Sequence, residues 1–245
     1  EICAENGETL IGPDQVWLEL PEGRCEMHIR QYYADWLTEE PAALMLTCED
    51  QVFPPPLLTR ETAEERFRRL PDLLRVHADF AEAGVRSHLQ SPPDRVARFE
   101  VPGAFAGTDY FSGHFRCRPD EAVLIEIDAP DCAYWNTELA QLQWEPGDYW
   151  ARLVNYNLSQ VHHEADGSVR FVACCKDPGL PNWFDVSGRT LHLVNFRFFE
   201  CRRDHAEPRI RTVALTDLDR HIAADTPRIT PDERRAQMVA RLESV

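Results

Sequence analysis

Lysine is almost missing from this chain: of its 26 basic residues, only Lys176 is not an arginine. The imbalance reads as a coding bias, and it leaves a single side-chain amine for Schiff-base chemistry, which would need burial to lower its pKa. Basic charge is scarce altogether, with 42 acidic residues and a formal net charge of −16. Such a surface repels phosphate backbones and anionic lipid, so nucleic-acid binding and peripheral membrane attachment are not expected. No apolar run approaches the roughly 18 residues of a membrane span. Nor does the start at Glu1 show the charged and then apolar segments of a signal peptide. A cytoplasmic protein is the expectation.

Paired cysteines are missing too. The eight cysteines are scattered without a CxxC pair, which argues against a zinc ribbon and a thioredoxin-type site. They are expected to be mostly reduced, buried thiols. There is no P-loop, no Gly-rich dinucleotide fingerprint and no G-x-S-x-G elbow, so nucleotide cofactors and an elbow-type hydrolase are disfavoured. No cofactor is expected and no metal is assigned.

What is present is strand pattern, interrupted once by helix. Residues 8–48 alternate apolar and polar positions between turns such as Pro21-Glu22-Gly23. Pro54-Pro55-Pro56 breaks regular structure. Ala63, Phe67, Leu70, Leu74 and Phe80 then form a helical stripe, with Thr62 and Glu65 as a capping box, Pro71 as a kink and Gly84 as a stop. Strand pattern returns over 96–215, cleanest in Glu121-Ala122-Val123-Leu124-Ile125-Glu126-Ile127. Residues 191–199 and 208–215 read as a strand pair joined by a charged turn. Thr230-Pro231-Asp232-Glu233 carries an N-cap, a proline at the first helical position and a glutamate at the third, which predicts a helix over 231–244. The organisation read from this is a partial β unit at 1–53, a helical linker at 54–95 and a β domain at 96–245.

The chain also matches itself. Residues 6–48 resemble 166–213, with Val16-Trp17-Leu18-Glu19 against Asn182-Trp183-Phe184-Asp185, Gly23-Arg24 against Gly188-Arg189, and His28 against His192. The second copy follows many strands and the first follows almost none. Residues 1–50 are therefore expected to complete a sheet with strands from a missing segment, a second polypeptide or a symmetry mate, since proteins avoid bare sheet edges.

Asp177-Pro178-Gly179-Leu180-Pro181-Asn182-Trp183-Phe184-Asp185 resembles a motif of the bacterial family called domain of unknown function 1214. Tyr134-Trp135-Asn136, Asn155-Tyr156-Asn157, His28-Ile29-Arg30-Gln31-Tyr32-Tyr33-Ala34-Asp35-Trp36 and the ending from Thr226 to Arg235 are similar to that family as well. The resemblance implies a mainly β protein, a jelly-roll-like β-sandwich with a helical insertion at about 58–90 and a C-terminal helix, often with a related β unit in tandem. It implies no reaction. The family is expected to show a histidine shortly after its Asn-Trp motif, where this chain has Arg189.

The stiff loop 177–185 is the leading site candidate. Asp177 and Asp185 are two carboxylates on it, suited to acid–base work or to a cation, with His114 as a third catalytic candidate. Asn182, Trp183, Asn157, Asn155, Trp135 and Arg189 are the candidates for substrate binding, a polar and aromatic set of the kind that lines small-molecule clefts. The bland alternative is a structural loop whose Asp caps a turn and whose Trp packs in the core. His162-His163-Glu164 is a poor metal set, because neighbouring strand residues face opposite ways. Cys174-Cys175-Lys176 has no His or Ser partner at a family-like spacing. His192 and its repeat partner His28 read as packing residues first. Two functions stay open: a cytoplasmic enzyme acting on a small organic molecule by acid–base chemistry, or a non-catalytic module binding a ligand, glycan or partner chain.

Overall fold

Strand pattern and helix stripe both appear in the computed structural model, which describes residues 10–12, 15–16, 29–45, 54, 57–101 and 107–243. The chain divides into two compact units, residues 1–32 and 33–245. In the first, β1 (Leu10–Gly12) and β2 (Gln15–Val16) pair antiparallel. Beyond this pair, the described part of the first repeat copy, residues 29–45, forms no strand where strands were expected. The rest of the copy, and with it the expectation of an incomplete sheet, lies outside the described residues.

The second unit holds α1 (Arg60–Gln90), β3 (Arg95–Phe99), β4 (Thr108–Arg116), β5 (Glu121–Ile127), β6 (Cys132–Ala140) and β7 (Asn155–Asn157). There follow β8 (Val169–Cys174), β9 (Trp183–Asp185), β10 (Leu191–Cys201), β11 (Arg209–Ala214), a 3-10 helix (Leu215–His221) and α2 (Pro231–Glu243). The nine strands from β3 onward form one sheet in the order β7-β6-β10-β4-β3-β11-β5-β8-β9, antiparallel except between β8 and β9. Its two edges meet. Asp185 N donates to Leu153 O at 2.9 Å, and the Tyr156 hydroxyl donates to Trp183 O at 2.6 Å. The mainly β class is as expected, but β3–β11 make a single mixed sheet nearly closed into a barrel, where two facing sheets of a jelly roll were anticipated. Residues 191–199 and 208–215 are not a hairpin either, because β4 and β3 lie between β10 and β11.

Alternation decides what faces inward. Phe111 and Phe115 of β4, Trp135 of β6, Tyr156 of β7, Phe171 of β8, Phe184 of β9, and Val194, Phe196 and Phe198 of β10 fill one apolar interior. Phe171 stacks on Phe184 at 5.0 Å, and Tyr156 meets Phe184 edge-on at 5.3 Å. Strands β5 and β8 are apolar on their outer face too. There Ala122, Leu124, Val172 and Cys174 pack under Leu180 and Leu218. That second cover is why residues 122–125 read as an unbroken apolar run rather than an alternating one.

Gly113 in β4 faces Val96 across the β3–β4 ladder. A Cβ placed on it would lie 2.2 Å from Arg95 O. Only glycine permits the two backbones to approach this closely.

Helix α1 begins at Thr59, whose hydroxyl accepts from Thr62 N, and runs through Pro71 and Gly84 to a cap at Ser91. The expected cap at Thr62 and stop at Gly84 are thus corrected. The helix is held by i,i+4 pairs such as Arg60–Glu64 and Arg86–Glu82, and Ser91-Pro92 ends it where the backbone must turn extended. It buries no residue, and Phe67 and Phe80 stay 73% and 63% exposed. In α2 the capping box is formed as expected, Glu233 Oε2 accepting from Thr230 N at 2.7 Å.

Arg234 and Arg241 of α2 are seven residues apart, two turns on one face. Both are buried, with Met238 between them packed on the interior cluster. Arg234 donates to Asp177 and to Leu180 O, beside β9. Arg241 donates to Asn155 O at 2.9 Å and to Asn155 Oδ1, on β7. One helix therefore grips both edges of the sheet where they meet.

Most of the described cysteines are free, as expected, but one pair is not. Cys132 and Cys201, separated by 69 residues, are disulfide-bonded. The β6–β10 register places them opposite one another, which no local spacing reveals. Cys117 and Cys174 are free and buried.

Candidate functional site

The loop 177–185 is built by long-range partners. Asp177 accepts from Arg234 Nε at 2.8 Å and from a second guanidinium nitrogen at 3.2 Å, while its Oδ1 also takes Gly179 N. The Arg234 guanidinium lies 5.3 Å above the Trp183 ring, and Trp183 Nε1 donates to Cys174 O. Asn182 sits at φ +51, a left-handed position that Asn tolerates. Its amide donates to His162 O and Arg170 O, and its oxygen accepts from His162 N. These contacts hold the loop to the barrel wall.

Other candidates are dispersed. Trp135 is 3% exposed, inside the barrel. Asn155 binds Arg241. Asn157 Nδ2 donates to Tyr33 O and Ala34 O, tying residues 33–34 to β7. His114 lies on the outer face of β4, 6% exposed, its Nδ1 buried and without a hydrogen-bond partner among the described residues. Near it on the same face a separate network runs from His88 through the Ser112 hydroxyl to Asn195. The thiol of Cys174 donates to Lys176 O, and burial pushes its pKa up to about 12, which leaves no nucleophilic thiolate there.

Asp185 and Arg189 do meet. They line a cleft of about 230 Å³ at the barrel mouth near the start of β10, together with Glu145, Asp148, Arg152 and His192. The Asp177 carboxylate does not line this cleft. Asp185 holds Arg152 at 2.8 Å and accepts Ser187 N at 2.7 Å. Among the described residues, neither Arg189 nor Glu145 forms an ion pair. His192 is 2% exposed, its ring stacked 5.6 Å from Phe115 and its Nε2 donating to Arg189 O at 3.1 Å. Its position on an inward-facing place of β10 could be read from the alternation of 192, 194, 196 and 198. That its neighbours would be Asp185 and Arg189 could not.

Burial is the main cause that lowers the pKa of His192, and also that of His114, where the charge of His88 adds to it. The folded protein thus keeps both rings neutral where the unfolded chain takes up protons. Stability from this source is complete above the ordinary value of 6.5 and is lost as pH falls through the lowered folded values. Thermal melts should therefore be flat above neutrality and decline below about pH 6.5. In His192→Gln, whose amide can still donate to Arg189 O, that decline should be shallower. An unchanged slope would remove His192 as its source.

No family model matches the chain, and no curated protein matches it. Two solved structures match part of the chain. One, an uncharacterized protein from Burkholderia cenocepacia, shares 26% identity at a TM-score of 0.50, over 57% of this chain and 39% of that one. The other, from Vibrio parahaemolyticus, shares 12% identity at a TM-score of 0.37, over 65% of this chain and 47% of its own. The chain thus spans less than half the length of either protein it resembles.

Proposed function

We propose that the protein binds a small organic anion, of the carboxylate type, in the cleft at the barrel mouth. The observation that carries this reading is the Arg189 guanidinium, which lines the cleft without an ion pair of its own among the described residues. A guanidinium offers a planar fork of donors that matches a carboxylate. Glu145, in the same lining and also without an ion pair among the described residues, favours a ligand that also carries a donor group. The barrel supplies a fixed wall of strands behind it.

This favours the binding module over an acid–base enzyme built on Asp177 and Asp185, since the first is engaged by Arg234 and the second by Arg152. An enzymatic version of the reading would put the proton-accepting group on His192, which is neutral at physiological pH and lines the same cleft. Calorimetric titration with a panel of small mono- and dicarboxylates tests the proposal. Saturable binding of at least one of them is expected, weakened about 10–100-fold in Arg189→Ala, as for loss of one charged hydrogen bond. Binding that ignores Arg189, or none across the panel, would reject it. Turnover of the bound acid that stops in His192→Gln would move the reading to the enzyme.

A second, independent reading concerns partners. The exposed Phe67 and Phe80 stripe of α1 is an apolar face of the kind that a second polypeptide or a second copy covers. We keep membership of the domain of unknown function 1214 family and a cytoplasmic location as parts of the same proposal, both resting on sequence motifs and composition. No helix among the described residues is long and apolar enough to cross a membrane.

A further inference from the structure

At the mouth opposite the cleft, three side chains able to hold a metal converge. Asp109 near the start of β4, Cys201 at the end of β10 and His205 in the loop beyond it bring a carboxylate oxygen, a sulfur and a ring nitrogen within 4.8 Å of one another. Strand register does this. Asp109 faces Phe198 across the β4–β10 ladder, and Cys201 faces Cys132 across β10–β6. His205 folds back over the aromatic end of the interior, 4.6 Å from Phe198 and 5.2 Å from Phe111.

The His205 side chain is only 5% exposed, with Nε2 3.0 Å from Asp109 Oδ2. That oxygen also accepts from Arg98 at 2.9 Å. His205 Nδ1 is buried with no hydrogen-bond partner among the described residues, and so is the hydroxyl of Thr108 beside Asp109. Buried polar atoms in folded proteins nearly always have partners, so two orphans at one barrel mouth call for an explanation. A disulfide sulfur is a poor ligand and a thiolate is a good one. Cys201 is bonded to Cys132.

We propose that this mouth is a redox-controlled site for a soft divalent cation of the zinc type, formed when the Cys132–Cys201 disulfide is reduced. Reduction by a dithiol transfers two electrons and two protons, giving two thiols here and one disulfide in the reductant. The cation displaces the thiol protons and is held by the sulfurs of Cys132 and Cys201, a nitrogen of His205 and an oxygen of Asp109. In the reverse direction the two thiolates give up two electrons to an oxidised dithiol, the disulfide reforms and the cation leaves.

Two zinc–sulfur bonds of about 2.3 Å at a tetrahedral angle place the sulfurs about 3.8 Å apart. Facing cross-strand side chains reach that separation without moving their strands. Two thiolates and a carboxylate overcompensate a divalent charge by one, and Arg98 beside Asp109 offsets the excess. A donor set of two sulfurs, one nitrogen and one oxygen selects zinc-like ions over magnesium or calcium. The scattered cysteines and the wide separation of Asp109 from His205 are why the sequence assigns no metal here.

Cobalt(II) is the probe. The full chain is reduced with dithiothreitol, desalted without oxygen and titrated, with the untreated disulfide form alongside. One equivalent should bind the reduced chain with sulfur-to-cobalt charge-transfer absorption and tetrahedral visible bands, and zinc should displace it. The disulfide form should give neither signal. His205→Ala and Asp109→Asn, checked for folding by circular dichroism, should weaken uptake about tenfold or more. Equal signals in both redox forms, no signal after reduction, or a signal that survives the double change Cys132→Ser with Cys201→Ser would overturn the proposal.

Discussion

Replacing Asp177 with alanine should lower the stability of the barrel by about 3 kcal/mol, the low end for removing one partner of a buried ion pair. The Arg234 guanidinium is 8% exposed and the Asp177 carboxylate 32%. The substitution therefore strands a well-buried cation, while the reverse change leaves a carboxylate that water already reaches in part. Arg234→Ala is accordingly expected to cost less through charge, although it also loses the bonds to Leu180 O and Gln237 Oε1 and the contact with the Trp183 ring. For a chain of this size, 3 kcal/mol corresponds to a melting point lower by roughly 6–12 °C.

Pairing Asp177→Ala with Arg234→Met should recover part of the loss, because a well-packed apolar side chain is often as stable as a buried ion pair. Urea denaturation with an unchanged slope is the measurement. Carboxylate binding at the cleft should be unaffected, since Asp177 does not line it. A stable Asp177→Ala variant that loses activity or binding would restore this residue as a site residue and refute the structural assignment.

The second large effect is expected from one methyl group. In Gly113→Ala the new Cβ would lie 2.2 Å from Arg95 O, 2.9 Å from Arg95 C and 3.0 Å from Val96 Cα. All three atoms are backbone, so no side chain can swing away, and β3 must be pushed off β4. Overpacking in a rigid interior costs about 1–3 kcal/mol, and here a break in the ladder is added, so a loss above 3 kcal/mol or a failure to fold is expected. Gly84→Ala is the control. Its Cβ would rest 3.9 Å from Trp144 Cε2, an ordinary contact, and alanine should stabilise α1 by about 0.5–1 kcal/mol. Circular dichroism melts of both variants give the comparison. If Gly113→Ala melted within a few degrees of the parent, the close approach of β3 and β4 would be wrong.

Local signals were legible in the sequence, and those that depend on partners far along the chain were not. Thr230, Pro231 and Glu233 specify the start of α2 because capping acts over three residues. Residues 122–125 announce a buried strand because their own side chains are apolar on both faces. Thr62 looked like a cap because Glu65 follows it, yet Thr59 won, since one more turn of helix fits before the chain straightens. Asp177 and Asp185 looked like a catalytic pair because they share a stiff loop. What separates them is Arg234, 57 residues on from Asp177, and Arg152, 33 residues before Asp185. The Cys132–Cys201 bond and the β3–β4 insertion between β10 and β11 follow from strand order, which alternation alone leaves open.

Most neighbouring strands of this barrel are zipped along a ladder, but β7 and β9 are three residues each and touch through isolated bonds under the clasp of α2. Unpaired strand edges are adhesive, because their free amides and carbonyls accept any other chain. Lifting α2 would bare two such edges at once while most of the barrel stayed folded. The hazard built into this closure is therefore not collapse but stickiness: a molecule that loses its arginine grip presents two open edges at which other chains can add before the barrel unfolds.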